Sequence, residues 1–505
     1  MPLKLIRSCA VALACALSGV LTGPAQASSL PPAATSGLRL IDYFPASAGW
    51  GSMWWNWNAA QIDSDFARIA ALHANTVRIV VSASAFRFPH PAPTMLEHLS
   101  QTLALASAHG LRVELTLFNE WHDYGAIQDS ETWAGELLAG LRGDPRIAYI
   151  DLHNELPSDS NHAAITWAQA MVPYVQSLDG GIPVTISTSI SSGTGPLEAL
   201  IKGLGASPPN LYDVHYYGNA ADAYATLARA KSLAGGVPLF VGETGFATDP
   251  SYGWARGLQP SASSLESYQD YYFRVLESAT RALALPAAAP WILYDMPGQG
   301  GTNWGFHMGI LHADGSPKPA ASTLAGVFSG GPVATSFNNG FEQSAGRAAL
   351  PTIWRRWMAP QARFSIDRKL AHSGSAAARI DHAGGNHHSG CPAFFTPPVV
   401  AVVPGVTYTA SAWVRGLGAS GSSRVVLSWS DASGHYIASS NSPSLPPGSS
   451  GWTQLSVSAQ PPAGAAAVEI NLQVCENPGT TWFDDVSFSP AGSAASVPHG
   501  HRHAR

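Results

Sequence analysis

The strongest constraint on this chain is a regular alternation of short apolar or β-branched runs with longer amphipathic stretches between Leu38 and Phe328. Such alternation is typical of β/α units arranged around a parallel sheet. The runs with the length and composition of strands are Leu38–Tyr43, Thr76–Val81, Arg112–Phe118, Ala148–His153, Pro183–Ser187, Leu211–Tyr216, Pro238–Glu243 and Trp291–Asp295. The helical patterns include Ala59–His73, Met95–His109, Glu131–Leu141, Ala163–Leu178, Ala220–Leu233, Leu265–Leu283 and, after the eighth strand, Pro319–Val327.

Eight strand-and-helix units in about 290 residues predict an α/β fold of the (β/α)8 TIM-barrel type. An open doubly wound sheet would seldom need eight units, and it should carry a glycine-rich phosphate turn after its first strand. The G-x-G-x-x-G pattern does not follow Leu38–Tyr43. The barrel is therefore the better interpretation.

Helical periodicity ends at the sequence Phe328-Ser329-Gly330-Gly331-Pro332, and an all-β pattern follows from Phe337. Short runs separated by Pro- and Gly-rich turns predict an antiparallel, jelly-roll-like β-sandwich. Its predicted strands are Val399–Val403, Thr407–Val414, Val425–Ser430, Thr453–Ser458, Ala467–Val474 and Thr481–Phe488. The predicted order is a barrel at 36–328, a linker at 329–336, a sandwich at 337–490 and a tail at 491–505.

The N-terminus has the pattern of a secretory signal. Lys4 and Arg7 precede an apolar run from Cys9 to Leu21 that is too short to span a bilayer, and Ala25-Gln26-Ala27 follows it. We expect cleavage near Ala27, with residues 1–27 removed and the mature protein secreted to the extracellular space or the periplasm. Lipidation of Cys15 is the alternative, but the preceding leucine stands one place from the position that a lipobox requires. No other stretch predicts a membrane span.

Composition excludes one class of partner and favours another. Charged residues make up 12% of the chain, and 27 Lys+Arg against 33 Asp+Glu give a net charge of −6. Such a chain has no basic field for a phosphate backbone, so nucleic acid is not an expected partner. The 16 Trp, 15 Tyr and 17 Phe provide aromatic faces that suit neutral, hydroxyl-rich ligands.

Cysteine and histidine positions give two smaller predictions. Once the signal is removed, only Cys391 and Cys475 remain, and in an exported chain they predict one disulfide. A metal pair is the alternative, but no clustered His or Cys accompanies them. The tail ends in His499, His501 and His503, for which a frayed terminus is preferred to a metal-binding tag.

Two glutamates terminate predicted barrel strands. Glu155 follows the fourth strand and Glu243 ends the seventh. Polar residues at the C-terminal ends of barrel strands face the site, where two carboxyl groups about 5–5.5 Å apart perform retaining glycoside hydrolysis. Structural ion pairing is the alternative for either residue. Glu120 is a third candidate and ranks lower because it lies past the third strand.

These residues resemble clan A glycoside hydrolases, nearest to family 5, the cellulase and mannanase family, over roughly Asp42 to Gly326. The specific match is the Asn154-Glu155 pair after strand four together with Glu243 after strand seven. The supporting matches are Arg78 on strand two, His215 and Tyr217 after strand six, Trp291 on strand eight and the run Gly309–Ala320 before the last helix. The resemblance implies Glu155 as acid/base, Glu243 as nucleophile and no cofactor for catalysis.

The roles that chemistry assigns to the remaining residues follow from this pair. Arg78 would lower the pKa of Glu243 and orient it, with help from the Tyr217 hydroxyl. Asn154 would bind the sugar 2-hydroxyl. Glu155 should have a raised pKa, because it must hold a proton. His215 would hold the acid/base or a sugar hydroxyl, or else be a core histidine.

Aromatic residues and one histidine are further candidates for sugar binding. Trp291 would form the floor under the sugar ring, unless it is core, in which case Trp304 is the rival platform. His122 could replace the histidine that many relatives carry near strand three, in a run, Asn119 to Gly125, that resembles the mannanase branch. Trp54 belongs to a Trp54-Trp55-Asn56-Trp57 cluster that could stack several sugars, although Trp57 could instead anchor the first helix.

The C-terminal region resembles carbohydrate-binding modules of the family 4 and 9 type, with a purely structural spacer as the alternative. The matching motifs are Asn339-Gly340-Phe341-Glu342, Pro404–Tyr408, Ser411–Val414 and Trp482–Val486. Candidate stacking residues are Trp354, Trp357, Trp429 and Tyr436, of which some must be core. Glu342 and Asp485 could meet on paired terminal strands and hold a structural Ca²⁺.

The sequence as a whole predicts a secreted, retaining glycoside hydrolase that cleaves β-linked polysaccharide or oligosaccharide. It would act as a monomer, in the manner of an endo-β-glucanase or β-mannanase, by double displacement with two glutamates. One alternative is a transglycosylase that uses the same site. Another is a catalytically silent glycan-binding or adhesion protein, against which the intact Glu155 and Glu243 argue.

Overall fold

A computed structural model describes residues 35–49, 52–255, 262–296, 304–331 and 338–490. The last range has short gaps at 343, 346–349, 352–353, 358, 385–389, 397–399, 403, 432–434 and 449. The predicted signal, most of the predicted linker and the His-containing tail lie outside the described residues. Within the described part of the chain, no helix is both long enough and apolar enough to cross a bilayer.

The first unit is a parallel barrel. Its strands are β1 (Leu40–Asp42), β2 (Thr76–Val80), β3 (Arg112–Thr116), β4 (Ile147–Asp151), β5 (Val184–Thr185), β6 (Ser187–Ser189), β7 (Tyr212–Tyr216) and β8 (Leu239–Thr244). Strands β1 to β5 pair in sequence order as one parallel sheet, and β6 to β8 form a second one. The predicted fifth strand corresponds to β5 and β6, which are separated only by Ile186.

The barrel is closed by a segment that is not a regular strand. Pro290 bridges Thr244 of β8, and the Leu293 N–H donates to the Asp42 carbonyl of β1 at 3.1 Å. The segment therefore joins the last strand to the first. The predicted eighth strand, Trp291–Asp295, does not form a continuous hydrogen-bonded ladder, but the segment does occupy the eighth strand position of the barrel.

Helices follow the strands on the outside. They are α1 (Ser52–Trp55), α2 (Ala59–Ala71), α3 (Ala83–Phe86), α4 (Pro93–Ala108), α5 (Ile127–Leu138), α6 (His162–Leu178), α7 (Gly195–Leu204), α8 (Ala223–Leu233), α9 (Pro250–Ala255), α10 (Ala262–Ala282) and α11 (Pro319–Phe328). Asparagine side chains cap two of them: Asn58 accepts from the Gln61 N–H at 3.2 Å and Asn161 from the Ala163 N–H at 3.0 Å.

The barrel interior carries a polar layer between its apolar rings. Parallel pairing sets Asp42 beside Arg78 and Arg78 beside Glu114, so that their side chains enter the barrel at one level. All three are almost fully buried. Parallel barrel strands are usually filled with branched apolar side chains, so buried ionisable groups at this level indicate function.

The second unit is a β-sandwich, as predicted. Its strands are β9 (Ser344–Ala345), β10 (Leu350–Pro351), β11 (Arg355–Trp357), β12 (Arg363–Asp367), β13 (Ala377–Ala383), β14 (Ala393–Phe395), β15 (Val400–Ala401), β16 (Tyr408–Leu417), β17 (Ser422–Ser430), β18 (Tyr436–Asn441), β19 (Thr453–Ala459), β20 (Ala467–Cys475) and β21 (Asn477–Pro490). One main sheet has the order β11-β14-β20-β17-β18 with β15 beside β20, and the other has the order β12-β13-β21-β16-β19.

A disulfide joins Cys391 to Cys475, with a Cα–Cα distance of 5.0 Å, which confirms the predicted pair. It closes a loop with a sequence separation of 84 residues.

The barrel contacts the sandwich where helix α10 packs next to β15. Burial and neighbouring charges raise the pKa of Tyr271 on α10, and Arg355 and Glu469 of the sandwich are among the charges that act on it. The two units are therefore in contact.

Candidate active site

The predicted catalytic pair lies at the C-terminal mouth of the barrel. Glu243 is in β8, and Glu155 stands on the loop that follows β4. Both line a cavity of about 320 Å³. The residues that line this cavity are Phe44, Val80, Asn119, Asn154, Glu155, Ser189, Tyr217, Glu243, Trp291 and Gly305.

Glu155 is held in an unusual backbone conformation. Its φ is +49°, in the left-handed region that non-glycine residues seldom adopt. Its N–H donates to Ser187 Oγ at 2.9 Å, which anchors the loop to β6. Such conformations concentrate at functional sites, where the surrounding structure holds them. The Glu155 side chain remains 39% exposed, so it can meet a ligand in the cavity.

Glu243 is almost buried and is held from two sides. Arg78 Nη1 donates to one carboxylate oxygen, and the Tyr217 hydroxyl donates to the other at 2.7 Å. Both are donors that favour an ionised carboxylate. Burial, followed by the charge of Glu243, raises the pKa of Tyr217 well above its usual value, so this hydroxyl remains a donor.

His215 lies between the two glutamates. Its Nδ1 is 3.1 Å from Glu155 Oε1 and 3.3 Å from Glu243 Oε2. Its Nε2 faces Asp213 Oδ2 at 3.8 Å. Burial lowers the pKa of His215, but the charge of Glu243 and the contacts with Asp213 and Glu155 outweigh burial and raise it well above the usual value. The imidazole is therefore held in its protonated form.

The expected rise in the pKa of Glu155 is not found. Burial does raise it, but the hydrogen bond from His215, the His215 charge and the Arg78 charge together place the pKa below its usual range. The charge of Glu243 was expected to dominate, but the cationic imidazole of His215 acts on Glu155 in the opposite direction. The proton of this pair is therefore held by His215.

The two carboxylates are close enough for a single sugar carbon to lie between them. Glu155, His215 and Glu243 each place one ligand atom within 4.8 Å of the other two. This short separation agrees with a retaining arrangement, whereas inverting enzymes place a water molecule between carboxyl groups about 6.5–9.5 Å apart.

Two groups of side chains have the spacing of metal ligands. One is Glu155, His215 and Glu243, and the other is Glu114, Asp151 and Asp213. The Arg78 guanidinium contacts Glu243 in the first group and both Glu114 and Asp151 in the second, so a fixed positive charge already occupies each neighbourhood. Coulomb repulsion from that charge disfavours a metal ion at either place.

Asn154 has a defined orientation. Its Oδ1 accepts from Arg78 Nη2 at 2.8 Å, and because arginine only donates, the carbonyl side of the amide must face Arg78. The NH₂ side is then the part of Asn154 that can donate to a ligand in the cavity. This geometry agrees with the predicted contact to a sugar hydroxyl.

The aromatic candidates separate into three cases. Trp291 lines the cavity beside Glu243 and packs edge-on against Phe44, with ring centroids 5.9 Å apart. Trp304 is 38% exposed and precedes Gly305 of the cavity lining, so it lies at the rim. Trp54 is fully buried and donates to the Val80 carbonyl at 2.9 Å. Its predicted place at the mouth is therefore wrong, because α1 turns this side chain into the core.

The loop after β3 presents a different residue from the one predicted. His122 is exposed and does not line the cavity, whereas Asn119 does. Phe118 and Glu120 on either side of Asn119 have φ values of +45° and +57°, so the loop changes direction there. This turn directs His122 outward, and the exposed Glu120 also lies outside the cavity lining.

Sequence reasoning missed the acidic side chains below the mouth. Asp42, Glu114, Asp151 and Asp213 are all nearly fully buried. Arg78 forms ion pairs with Asp42 and Asp151 at 3.1 Å and with Glu114 at 3.3 Å. A usable signal was present in the sequence, since an acidic residue inside a β-rich run has no exposed face to occupy in a parallel barrel.

The predicted calcium residues come together in the sandwich. A Cβ on Gly340 would lie 3.8 Å from both Glu342 and Asp485. Ser375 donates to both Glu342 oxygens, at 2.9 and 2.7 Å, and the Asp485 oxygens meet Ser373 and His372 at 2.7 and 2.6 Å. Because each of the four oxygens already has a protein partner, a Ca²⁺ ion would have to displace these contacts, and the ion stays a prediction.

Comparison with known proteins adds an independent finding. Residues 39–273 match the family model described as cellulase, glycosyl hydrolase family 5. No curated protein matches the chain.

Three solved structures illustrate the likeness. An exo-β-1,4-mannosidase from Opitutaceae bacterium strain TAV5 is 19% identical with a TM-score of 0.46, covering 58% of this chain and 59% of that one, so this chain spans under two thirds of its length. A GH5_18 protein from Streptomyces cattleya in complex with Manβ1-4GlcNAc is 18% identical with a TM-score of 0.48, covering 60% and 83%. A GH5_18 protein from Bifidobacterium longum subsp. infantis is 14% identical with a TM-score of 0.47, covering 58% and 79%. The barrel is similar to the family 5 cellulases through the family model.

Proposed function

We propose that this protein is a secreted, retaining β-glycosidase that uses Glu155 as acid/base and Glu243 as nucleophile. The observation that carries the proposal is the arrangement of the two carboxylates, which lie within 4.8 Å of each other at the barrel mouth with His215 between them. The separation supports double displacement over a single inverting step. Arg78 and Tyr217 then orient the nucleophile, and Glu155 faces the cavity.

The first half-reaction transfers the sugar to the enzyme. Glu155 gives its proton to the glycosidic oxygen while a Glu243 oxygen attacks the anomeric carbon, so the carbon–oxygen bond to the leaving group breaks as the ester bond forms. In the second half-reaction, Glu155 takes a proton from a water molecule, and the water replaces Glu243 at the same carbon. Each step inverts the carbon, so the product keeps the β configuration.

His215 is the source of the proton that Glu155 uses in these steps. The imidazole and Glu155 are 3.1 Å apart, so a proton on Nδ1 can move to Glu155 Oε1 without any change of position. A bound sugar would exclude water and weaken the stabilisation of the ionised carboxylate, which favours that transfer. The pair therefore acts as one titrating unit, and the acidic proton belongs to both residues.

The substrate class that best fits the site is a neutral β-linked glucan or mannan chain. The cavity presents aromatic faces at Trp291 and, at its rim, Trp304, together with the amide of Asn154, and its two carboxylates are already paired with Arg78 and His215. Aromatic faces and amide donors suit sugar rings and hydroxyls. A transglycosylase would use the same residues and differ only in the acceptor that resolves the glycosyl-enzyme.

The sandwich carries a groove that supports a glycan-binding role. A cavity of about 200 Å³ is lined by Gly390, Cys391, Arg424, Val426, Ser428, Tyr436, Ser439, Asn441 and Gln473. Tyr436 is 68% exposed, and Arg424 donates to Gln473 Oε1 at 2.9 and 2.7 Å. An exposed aromatic ring beside fixed polar groups is the composition of a sugar-binding surface.

Two of the four predicted stacking residues are not available for this role. Trp429 and Trp354 are buried in the module, and Trp429 donates to Ser440 Oγ at 3.1 Å. Trp357 is 56% exposed but lies outside the groove lining.

Export of the protein is supported by the disulfide, since such bonds persist in oxidising compartments.

The experiment that tests the function is a panel of β-glucans, β-mannans and β-xylans with product analysis. Proton NMR of the first products at early times gives the anomeric configuration. We expect β products from a glucan or mannan, and Glu243→Ala should abolish their formation. Products that first appear as the α anomer would contradict the retaining mechanism, and activity of Glu243→Ala near that of the parent would contradict the site.

A further inference from the structure

The interior of the barrel contains more acidic groups than its cations can balance. Arg78 and His215 are the cations that act on the buried acids of this layer within the described residues. The acids are Asp42, Glu114, Asp151, Asp213 and Glu243, and none is more than 5% exposed. With both cations charged, full ionisation would leave three uncompensated negative charges on buried side chains, which is strongly disfavoured. The layer must therefore hold protons.

Most of these carboxylates have donors that stabilise their ionised form. Asp151 accepts from the Ser187 N–H at 3.0 Å and from Arg78 Nη2 at 3.1 Å. Asp42 accepts from Arg78 Nη1 at 3.1 Å, and Glu243 accepts from Arg78 and from a tyrosine hydroxyl. Hydrogen bonds to a carboxylate favour its charged state.

Glu114 is the exception in this layer. Among the described residues, neither of its oxygens has a hydrogen-bond partner, although both are fully buried. Arg78 Nε is 3.3 Å from Glu114 Oε1, but the same Nε–H already donates to Thr116 Oγ1 at 2.7 Å. Glu114 is therefore the acid of the layer that has the fewest hydrogen-bond donors, and this lack of donors favours its protonated form.

The neighbours of Glu114 add to this preference. The charged and titratable groups that face it are Asp42 from β1, Arg78 from β2, Tyr149 and Asp151 from β4, and Asp213 from β7. Burial, followed by the negative charge of Asp213, raises the pKa of Glu114 well above its usual value. The geometry of unsatisfied oxygens and the electrostatics point to the same residue.

Asp213 connects Glu114 to the catalytic site. Its Oδ1 accepts from the Gly242 N–H at 2.9 Å, while its Oδ2 lies 3.8 Å from His215 Nε2 and has no hydrogen-bond donor in the part of the chain that the structure describes. Glu114, Asp151 and Asp213 each place a carboxylate oxygen within 4.8 Å of the others. A proton on Glu114 would supply the donor that Asp213 lacks.

We propose that Glu114 is protonated in the working enzyme and acts as a positioning residue, donating a hydrogen bond to Asp213 and so holding Asp213 as the counter-charge of His215. The link to catalysis rests on the proposed function, in which His215 shares its proton with Glu155. Glu114 itself does not touch the cavity. Its effect passes through Asp213 and His215 to the acid/base.

Two substitutions of Glu114 distinguish the effect of a hydrogen-bond donor from the effect of side-chain size. Glu114→Gln keeps an N–H donor of nearly the same shape, whereas Glu114→Met has similar length and no donor. We expect the kcat/KM of Glu114→Gln to stay within about threefold of the parent value. The kcat/KM of Glu114→Met should fall by at least about tenfold, which corresponds to the loss of one charge-assisted hydrogen bond. The alkaline limb of kcat/KM should move to lower pH in Glu114→Met, because His215 loses its counter-charge. Equal activity and equal pH profiles for the two variants would overturn the proposal.

A measurement of folding stability tests whether Glu114 is protonated, and it does not depend on glycosidase activity. A carboxyl group whose pKa is raised in the folded state favours folding below its unfolded pKa and loses this advantage as pH rises toward the folded value. The ratio of the folding equilibrium constant of Glu114→Gln to that of the parent should therefore rise by up to about tenfold per pH unit between pH 5 and 7. A gap that stays constant across this range would contradict a protonated Glu114.

Glu277 provides a matched control. It is a fully buried glutamate on α10, where burial raises its pKa to about 8, and it accepts from the Ala288 N–H at 3.0 Å. Glu277→Gln should show a similar pH-dependent gain in stability, but its pH–activity profile should match that of the parent. A shift of the profile by both glutamine variants would indicate a general effect and overturn the specific one.

A third measurement covers the case in which the Glu114 variants do not fold. In the folded Glu277→Gln protein, infrared spectroscopy at pH 7 should still detect the carbonyl stretch of a protonated carboxyl group. Absence of the band would overturn the proposal. The infrared and stability results do not depend on glycosidase activity, so they fail or succeed separately from the proposed function.

Discussion

The Tyr217 hydroxyl donates to Glu243 Oε2 at 2.7 Å, while the Arg78 guanidinium holds the opposite oxygen of the same carboxylate. Tyr217→Phe removes one of these two donors and leaves the ring in place. Because a hydrogen bond to a charged group contributes about 1.5–3 kcal/mol, we expect kcat/KM on an aryl β-glycoside to fall by about 10- to 100-fold. Tyr216→Phe is the control, since the Tyr216 hydroxyl donates to the Asn219 carbonyl. An equal loss in both variants would contradict the role of Tyr217.

The pH profile depends on the contact between His215 and Glu155. Burial raises the pKa of Glu155, and the hydrogen bond and charge of His215 lower it. His215→Gln removes the group that holds the shared proton, so this proton is lost at the pKa of Glu155 alone and no longer at the raised pKa of the pair. We expect the alkaline limb of kcat/KM to move to lower pH by about one unit or more.

His153 is the control for this shift. It is also buried, but burial lowers its pKa to about 4, so it is neutral at working pH. His153→Gln should leave the alkaline limb where it is in the parent. A limb that moves to higher pH in His215→Gln, or moves equally in both variants, would be incompatible with the shared proton.

Retention on insoluble polysaccharide tests the groove of the sandwich. Tyr436→Ala and Arg424→Ala remove the exposed ring and the fixed guanidinium that line it. We expect each to weaken binding to a cellulose or mannan matrix by about tenfold, given the size of a sugar–aromatic contact, with soluble-substrate activity maintained. Trp357→Ala is the control, because Trp357 is exposed outside the groove lining. Loss of retention only in Trp357→Ala would place the binding surface elsewhere.

The disulfide gives a prediction for stability. Replacing Cys391 and Cys475 by alanine opens a loop with a sequence separation of 84 residues and should lower the free energy of unfolding of the sandwich by about 2–4 kcal/mol. Urea denaturation followed by tryptophan fluorescence measures the change. The midpoint for loss of barrel activity should stay within error of the parent value, since both cysteines lie in the sandwich. A double variant as stable as the parent would refute the contribution.

Much of the barrel could be predicted because its signals are local. Seven of the eight predicted strands coincide with observed strands within a few residues, because β-branched runs between turns bury both faces of a parallel strand. The eighth, Trp291–Asp295, has the composition of a strand but bonds to its neighbours only at isolated points. The helix Gly195–Leu204 was not predicted.

The site could be predicted where function follows from position at a strand end. Glu155, Glu243, Arg78, Asn154, His215 and Tyr217 converge in the structure as the strand order implied. Trp54 and His122 could not be placed, because the direction of a loop side chain depends on tertiary packing. The buried acids also escaped notice, since their number matters only once the barrel brings them around Arg78.

The measurement that tests the central claim most directly is the capture of the glycosyl-enzyme. A 2-deoxy-2-fluoro β-glycoside with a good leaving group slows the second half-reaction, so the covalent intermediate accumulates. Peptide mass spectrometry should then find one fluorosugar per chain, attached to Glu243, and Glu243→Gln should remain unlabelled. A label on Glu155, or turnover of the same compound without any labelled peptide, would contradict the assignment of Glu243 as the nucleophile.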